Sequence, residues 1–316
     1  MTPAVDFALV ERVLPAVRAR VVRTPLVKSA WLSDLHGGDV FLKCENLQTT
    51  GSFKVRGAIA RLSDVDARAT GVVAASAGNH GLGLAHACRE FGVRCRIVVP
   101  RTIAEIKERK IRALGAELEK APFDGYDDTE TYAKEHAGGA MWVSPFDDPH
   151  VMAGNGGTTA LEILEELETV DAIVVPCGGG GLAIGMGVVM RRLVPDAALV
   201  GVNSEASPGM WLSRRDHRAH LRVEPKPTIA EGIEGGVSEN TYRLGLKYID
   251  DVVLASEREI GRAVAETHRR ESQKIEGSAG AAVAALVAGK VPRARKRVVV
   301  VLTGSNIDEA RLRSLQ

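Results

Sequence analysis

Short runs of β-branched residues alternate with amphipathic segments from about residue 70 to the end of the chain. This alternation is typical of strand-helix-strand units, which build parallel sheets. The pattern predicts an α/β fold with strands over residues 71–75, 94–99, 141–143, 172–175, 198–202, 251–254 and 297–302. A helix is predicted to begin near Glu257, because Ser256 and Glu259 have the spacing of a capping box.

The N-terminal segment and the length of the apolar runs indicate where the protein is located. Asp6 and Glu11 interrupt the apolar pattern of the first residues, which therefore predict an amphipathic helix and not a signal peptide. No apolar run reaches the roughly 20 residues needed to cross a bilayer. Residues 225–236 are rich in Pro, Gly and charge and predict an irregular loop. We expect a cytoplasmic protein with no membrane partner.

The amino-acid composition indicates which kinds of partner the protein can bind. The chain has 316 residues and is 45% apolar, which is enough for a large core. Its 41 basic and 40 acidic residues nearly cancel and only 4% of residues are aromatic, so no nucleic-acid partner is expected. The four cysteines lack the spacing of a zinc site and are predicted to be reduced core thiols: Cys44, Cys88, Cys95 and Cys177.

Candidate chemistry lies in four segments of small and polar residues. Residues 76–81, 177–182 and 303–308 each follow a predicted strand, and the carboxyl ends of parallel strands are where ligands collect. Residues 49–57 precede a predicted helix. The run Gly178–Gly181 lets backbone N–H groups approach an anion such as a phosphate, although a turn for close packing is the alternative. Its spacing matches neither common nucleotide-binding fingerprint.

Lys54 lies among small residues in TTGSFKVRGA, beside Phe53 and near a helix start. The positive end of a helix favours a neutral amine, which attacks an aldehyde. The alternative is a solvated surface lysine.

Each of the other polar residues in these segments can have either a functional or a structural role. Ser76 and Asn79 either hold a carboxylate or phenolic oxygen or cap a helix. For His80 we favour a structural hydrogen bond over a role as proton carrier. Thr303 either meets a ring nitrogen or caps the next helix, and for Glu276 a helix cap and an active-site role stand equal.

Five segments together resemble the threonine/serine dehydratase and serine racemase family: KCENLQTTGSFKVRGA, SAGNHG, SPFDDPHVMAGNGGTTALEIL, CGGGGL and LTGSNID. The resemblance covers nearly the whole chain. It implies the tryptophan-synthase-β-like fold of type II pyridoxal 5'-phosphate enzymes, with two open, twisted, mostly parallel sheets flanked by helices. It also implies a large cofactor-binding domain of residues 1–52 and 145–316, and a small domain of residues 53–144 that closes over the active site.

The resemblance makes Lys54 the Schiff-base lysine and the catalytic residue. It assigns cofactor contacts to Phe53, Lys54, Asn79, Gly178, Gly179, Gly180, Gly181, Leu182 and Thr303. Within this set the glycines and Leu182 hold the phosphate, Asn79 contacts the 3-hydroxyl and Thr303 faces the pyridine nitrogen. The substrate is expected to lie against the turn formed by Ser76, Ala77, Asn79 and His80.

The implied reaction is α,β-elimination of L-threonine and/or L-serine to a 2-oxo acid and ammonia. Ala77 stands where racemases of the family commonly have a second serine, which favours dehydration over racemisation. The segment NSEASPGM, which includes Glu205, lacks the acidic pattern of the racemase cation site, so no metal is expected. Alternatives are a dehydratase of another β-hydroxy amino acid such as 3-hydroxyaspartate, a serine racemase, or a noncatalytic binding protein. A homodimer or higher homo-oligomer is expected.

Overall fold

The strands form two separate sheets in the computed structural model, which describes residues 4–224, 226–292 and 294–315. In chain order they are β1 Leu26–Lys28, β2 Asp39–Lys43, β3 Val72–Ala75, β4 Cys95–Val99, β5 Glu117–Lys120, β6 Met141–Trp142, β7 Ala172–Pro176, β8 Ala198–Ser204, β9 Asp251–Ala255 and β10 Arg297–Val301. The larger sheet has the order β1-β2-β10-β7-β8-β9 and the smaller one β5-β4-β3-β6. Every pairing is parallel except that of β1 with β2.

Helices flank both sheets. They are α1 Phe7–Arg18, α2 Ala30–His36, α3 Lys54–Asp64, α4 Asn79–Phe91, α5 Glu105–Ala113, α6 Tyr126–Glu135, α7 Pro149–Met152, α8 Thr158–Glu166, α9 Gly181–Leu193, α10 Gly209–Arg215, α11 Glu239–Tyr248, α12 Glu257–Glu271, α13 Gly277–Val287 and α14 Glu309–Leu315. The predicted capping box is confirmed, since Ser256 and Glu259 exchange hydrogen bonds at the start of α12. A π-helical turn, Ala153–Gly157, joins α7 to α8.

The central strands are buried on both faces, as expected where helices cover a parallel sheet. All residues of β3 and β7 are buried, and so are residues Gly277 to Leu286 of α13, which packs on β7 and β8. A helix that is apolar all round belongs in such a position. The four cysteines are free and buried, as the sequence predicts.

The seven predicted strands are confirmed as β3, β4 and β6 to β10, with ends that differ by a residue or two. Three strands were missed. β1 and β2 precede residue 70, and β5 has the polar sequence ELEK at the edge of the smaller sheet. The N-terminal amphipathic helix is confirmed as α1, and residues 226–236 form the predicted irregular loop around a short 3-10 turn, Glu231–Ile233.

Residues 1–3 of the N-terminal prediction and Pro225 of the loop prediction lie outside the described residues. Within residues 4–315, apart from positions 225 and 293, no helix has the length and apolar character needed to cross a bilayer.

Candidate active site

The four segments singled out in the sequence lie against one another where β3, β7 and β10 end. Three hydrogen bonds show this: Phe53 N–H to the Thr303 carbonyl (3.2 Å), Lys54 Nζ to the Pro145 carbonyl (2.8 Å) and Asn306 Nδ2 to Asn79 Oδ1 (2.7 Å). Phe146, the neighbour of Pro145, packs against the glycine run. The structure thus brings together residues more than 200 positions apart in the chain.

Lys54 is the first residue of α3 and is half-buried. Burial lowers the pKa of Lys54 to about 8, while the charge of Glu276 acts in the opposite direction. The Nζ atom lies 5.2 Å from the centre of the Phe53 ring. A lysine with a pKa near 8 has an appreciable neutral fraction near neutral pH, and the neutral amine is both a nucleophile and a base.

A buried ion-pair cluster fixes the start of α3. Arg56 is fully buried and its guanidinium pairs at 2.8 Å with Glu45 and with Glu162, which also pairs with buried Lys43 at 2.8 Å. Burial acts to raise the pKa of Glu162, but Arg56 and Lys43 outweigh it and hold that pKa below its usual value. Because Arg56 lies two residues after Lys54, the cluster fixes the backbone that carries the amine.

The glycine run connects β7 to α9. Gly180 has a φ of +92°, which favours glycine, and a Cβ at Gly181 would lie 2.4 Å from the Phe146 carbonyl oxygen. Close packing therefore explains why some of these positions are glycine, which was the alternative interpretation of the run. In the described part of the chain, however, the N–H groups of Gly178–Gly181 have no hydrogen-bond acceptor. Leu182, in the first turn of α9, is buried beside them.

Unsatisfied N–H groups at the start of a helix form an anion site. The glycine run thus combines tight backbone packing with N–H donors that are available to an anion. The two interpretations of the sequence, an anion site and a closely packed turn, are therefore compatible. No acidic side chain is among the atoms nearest to these glycines.

The turn after β3 carries the next group of predicted residues. The Ser76 hydroxyl accepts a hydrogen bond from Gly78 N–H at 3.2 Å, and Ala77 is half-buried against the core. His80 Nε2 hydrogen-bonds the Val143 carbonyl at 3.1 Å, and burial lowers the pKa of His80 to about 3. The imidazole is therefore neutral and makes the structural bond that the sequence reading favoured.

Thr303 follows β10 and is buried, with 3% of its surface exposed. Its hydroxyl has no hydrogen-bond partner among the residues that the structure describes. It does not cap α14, because Asp308 accepts the hydrogen bond from Ala310 N–H there. Ser52 forms a bridge with Gly304, and its buried hydroxyl likewise finds no partner in the described part of the chain.

Glu276 belongs to the site, although the sequence left its role open. Its side chain makes no capping hydrogen bond to α13 and instead accepts one from Asn79 Nδ2 at 2.7 Å. Burial raises the pKa of Glu276 to about 7, while hydrogen bonds from Asn79 and from the Asn306 backbone act to lower it. The charges that face it are those of Lys54, Glu231 and Lys107. No sequence signal identified this contact, because its partner lies 197 positions away.

Glu205 directly follows β8 and is exposed. Outside the masked positions, no group of three or more His, Cys, Asp or Glu side chains is arranged to hold a metal ion.

Comparisons with known proteins agree with this geometry. A family model described as pyridoxal-phosphate dependent enzyme matches residues 17–304. An L-threonine ammonia-lyase of Thermotoga maritima is 45% identical over 294 residues, which are 91% of this chain and 72% of that protein.

Solved structures agree as well. A serine racemase of Dictyostelium discoideum has a TM-score of 0.88 at 30% identity and covers 96% of this chain and 99% of its own. The processed form of threonine deaminase isoform 2 from Solanum lycopersicum has a TM-score of 0.89 at 27% identity, over 100% and 95% of the two chains. With the family model spanning most of its length, this chain belongs to the pyridoxal-phosphate dependent enzymes of fold type II.

Proposed function

We propose that this protein is a dehydratase (ammonia-lyase) that converts L-threonine and/or L-serine to a 2-oxo acid and ammonia. The observation that carries the proposal is the half-buried Lys54 amine, with its pKa lowered to about 8, which donates to the Pro145 carbonyl next to Phe146. Phe146 packs on the glycine run, whose N–H groups have no acceptor among the residues that the structure describes. The 45% identity to a protein named L-threonine ammonia-lyase supports the reaction and the substrate.

The residues present fit pyridoxal phosphate. The free N–H groups of Gly178–Gly181 suit its phosphate, and the buried, unpartnered Thr303 hydroxyl suits the nitrogen of its ring. Phe53 is buried next to Lys54 and supplies an apolar surface for the ring. Buried donors and acceptors without protein partners are expected where a ligand completes the site.

Lys54 has two tasks in this proposal. Its neutral amine would hold the cofactor through its aldehyde, and the same amine, once free, would act as the base that takes the proton from the substrate Cα. The bound cofactor supplies an electron sink for the charge left at Cα. Ser76 and the turn that follows it would hold the substrate carboxylate. Lys54 Nζ donates to the carbonyl of Pro145, whose neighbour Phe146 packs on the glycine run.

Two residues favour elimination. Thr303 presents a neutral hydroxyl and not a carboxylate, so it does not keep the ring nitrogen protonated, and loss of a β leaving group is favoured over wider delocalisation. Ala77 carries no side-chain group that exchanges a proton, whereas racemases of the resembling family commonly have a serine there. A serine racemase remains the second candidate because of the similarity in fold to the Dictyostelium protein. Dehydration of another β-hydroxy amino acid, such as 3-hydroxyaspartate, is the third.

An assay of 2-oxo acid formation across β-hydroxy amino acids tests the proposal. L-Threonine or L-serine should give the highest kcat/KM, and Lys54→Ala should abolish both turnover and borohydride fixation of the cofactor to the protein. Lys28→Ala, which removes an exposed lysine paired with Asp39, is the matched control and should change neither. Normal turnover by Lys54→Ala would refute the assignment, and activity on a different hydroxy amino acid alone would favour the third candidate.

The proposal includes three expectations from the sequence. They are the division into residues 1–52 with 145–316 and residues 53–144, a homodimer or higher homo-oligomer, and a cytoplasmic location. The first is supported by the two sheets, since the smaller one takes its strands from residues 72–142. Sedimentation of the purified protein tests the second.

A further inference from the structure

Three side chains from distant segments form a hydrogen-bonded chain at the edge of the site. Glu276 precedes α13, Asn79 begins α4 and Asn306 lies in the loop after β10. Asn79 Nδ2 donates to Glu276 Oε1 at 2.7 Å, and Asn306 Nδ2 donates to Asn79 Oδ1 at 2.7 Å. Asn306 Nδ2 also donates to the Thr50 carbonyl at 2.9 Å. The chain therefore runs from a backbone carbonyl through two amides to a carboxylate.

This order of donors and acceptors fixes which way the Asn79 amide faces. The two Nδ2 protons of Asn306 are used by Thr50 and by Asn79, so Asn79 must present its oxygen to Asn306. On the other side an ionised Glu276 accepts only, so Asn79 must present its nitrogen there. One N–H of Asn79 is left over. Without Glu276 the amide has a partner on one side only, and an amide that is held on one side rotates more freely.

The surroundings keep the Glu276 carboxylate in place. A Cβ at Gly304 would lie 2.8 Å from Glu276 Oε1 and 3.2 Å from Asn79 Nδ2, so the loop backbone packs directly over this hydrogen bond. The Glu276 N–H donates to the Gly304 carbonyl at 2.9 Å, which ties the same loop to the same residue. The loop after β10 therefore contacts both members of the hydrogen bond between Asn79 and Glu276.

We propose that Glu276 is a positioning residue that orients Asn79 so that its free N–H is reserved for the 3-hydroxyl oxygen of the cofactor. This inference rests on the proposed function and on the contact between Asn79 and that oxygen that the family resemblance implies. A fixed donor at that oxygen favours its ionised form, since a hydrogen bond to the charged form of a group stabilises that form. Glu276 then acts on the cofactor through Asn79 without touching it.

The experiment measures cofactor binding and the visible absorption band of the bound cofactor as a function of pH. Glu276→Ala should raise the Kd for pyridoxal phosphate about tenfold, in keeping with the loss of one hydrogen bond to a charged group. The pH midpoint of the band should move upwards. Glu276→Gln keeps an acceptor oxygen for Asn79 and should stay within about threefold of the parent in Kd. Glu271→Ala is the matched control, because Glu271 also accepts one side-chain hydrogen bond, from Ser29 at 2.6 Å.

A double-mutant cycle separates positioning from general packing. On an Asn79→Ala background, Glu276→Ala should change Kd by less than about twofold, because the residue through which it acts is gone. Asn306→Asp, at a half-buried position, removes the donor at the other end of this series of hydrogen bonds. It should give the same rise in Kd and the same shift of the absorption band. This variant tests the inference even if Glu276→Ala fails to fold.

Additive effects of Asn79→Ala and Glu276→Ala, or a Glu276→Ala protein that behaves like Glu271→Ala, would overturn the inference. Failure of the proposed function has a different signature. In that case the parent protein binds no pyridoxal phosphate through Lys54, or forms no 2-oxo acid from any hydroxy amino acid. A parent that binds and turns over normally, with Glu276 variants that do the same, contradicts the positioning role alone.

Discussion

Ala77 follows Ser76 after β3 and carries no group that exchanges a proton. Lys54 is then the base on one side of the substrate Cα, and racemisation requires a second proton donor on the opposite side. We therefore expect weak racemisation by the parent protein and a detectable gain for Ala77→Ser. A proton-transfer group contributes roughly 10²- to 10⁴-fold only when its position and pKa suit the task, so the gain is expected to be small.

Chiral chromatography of L-serine incubated with each protein measures this gain, after correction for serine lost to pyruvate. Ala85→Ser serves as a control, because it adds the same hydroxyl on the buried side of α4. Substantial D-serine from the parent would show that another residue supplies the second proton, and the preference for dehydration would lose a main support.

Glu276 also makes the stability of the cofactor-free protein depend on pH. Its pKa is raised to about 7 in the folded state, because burial disfavours the charged form. Between its ordinary pKa and 7 the folded state binds more protons than the unfolded state, so stability falls as pH rises through that window. Glu276→Gln should reduce this decrease in the free energy of unfolding by up to about 3 kcal/mol.

Urea unfolding of the parent and of Glu276→Gln at pH 5 and pH 8 measures the difference. The comparison is between the two pH dependences, so a constant effect of the substitution cancels. Equal slopes with pH in the two proteins would show that the Glu276 carboxyl is already ionised at pH 5.

Gly179 is the position where the glycine run meets Phe146, whose ring would lie 2.4 Å from an added Cβ. Gly179→Asp adds both bulk and a negative charge beside the free N–H groups, and should weaken cofactor binding at least about tenfold. Titration of the cofactor-free protein measures it. Gly125→Asp adds the same charge at the start of α6, where an added Cβ meets nothing within 4 Å, and should bind normally. Unchanged binding by Gly179→Asp would exclude the run as the phosphate site.

At the scale of elements, α3 depends on the cluster of Arg56, Glu45 and Glu162 beneath it. Arg56→Ala leaves two buried carboxylates with one remaining cation, Lys43, and should lower the free energy of unfolding by about 3–5 kcal/mol. Arg12→Ala removes an exposed partner of Asp64 at the other end of α3 and should cost less than about 1 kcal/mol. Denaturant unfolding measures both, and similar losses would contradict the assignment of the buried cluster as the anchor.

The same elements show what the sequence makes predictable. β3, β7 and β10 are continuous β-branched or apolar runs because both faces are buried, so their pattern is visible in the sequence. β5 lies at an edge with half of its residues exposed, so ELEK has no such pattern. Lys54, Asn79, Thr303 and the glycines stand in local motifs at helix starts and strand ends. Their roles as cofactor and substrate contacts stay predictions.

Partners that meet only in the fold were not predictable. Glu276 lies 197 positions from Asn79, and Arg56 lies 106 positions from Glu162. Nothing in the spacing of these residues distinguishes a buried pair from two surface charges. The lowered pKa of Lys54 is likewise a property of the assembled site, because it follows from burial and not from the neighbouring letters of the sequence.

At the scale of the whole molecule, the site joins segments that belong to both sheets. Asn79 follows β3 of the smaller sheet, whereas the glycine run and Thr303 follow β7 and β10 of the larger one. A ligand that contacts both sides binds the folded protein and not the unfolded chain, so pyridoxal phosphate should stabilise the protein by mass action. At a free concentration of 100 times Kd the gain is about 2.7 kcal/mol.

A thermal unfolding scan with and without pyridoxal phosphate measures this gain, which for a chain of this size corresponds to a rise in Tm of several degrees. Gly179→Asp and Lys54→Ala should each lose most of the rise, while Gly125→Asp should keep it. The size of the rise in each variant should follow its measured Kd, since both report the same binding free energy. Cofactor that binds by absorbance yet leaves Tm unchanged would show that it does not depend on the fold, and would contradict a site built between the two sheets.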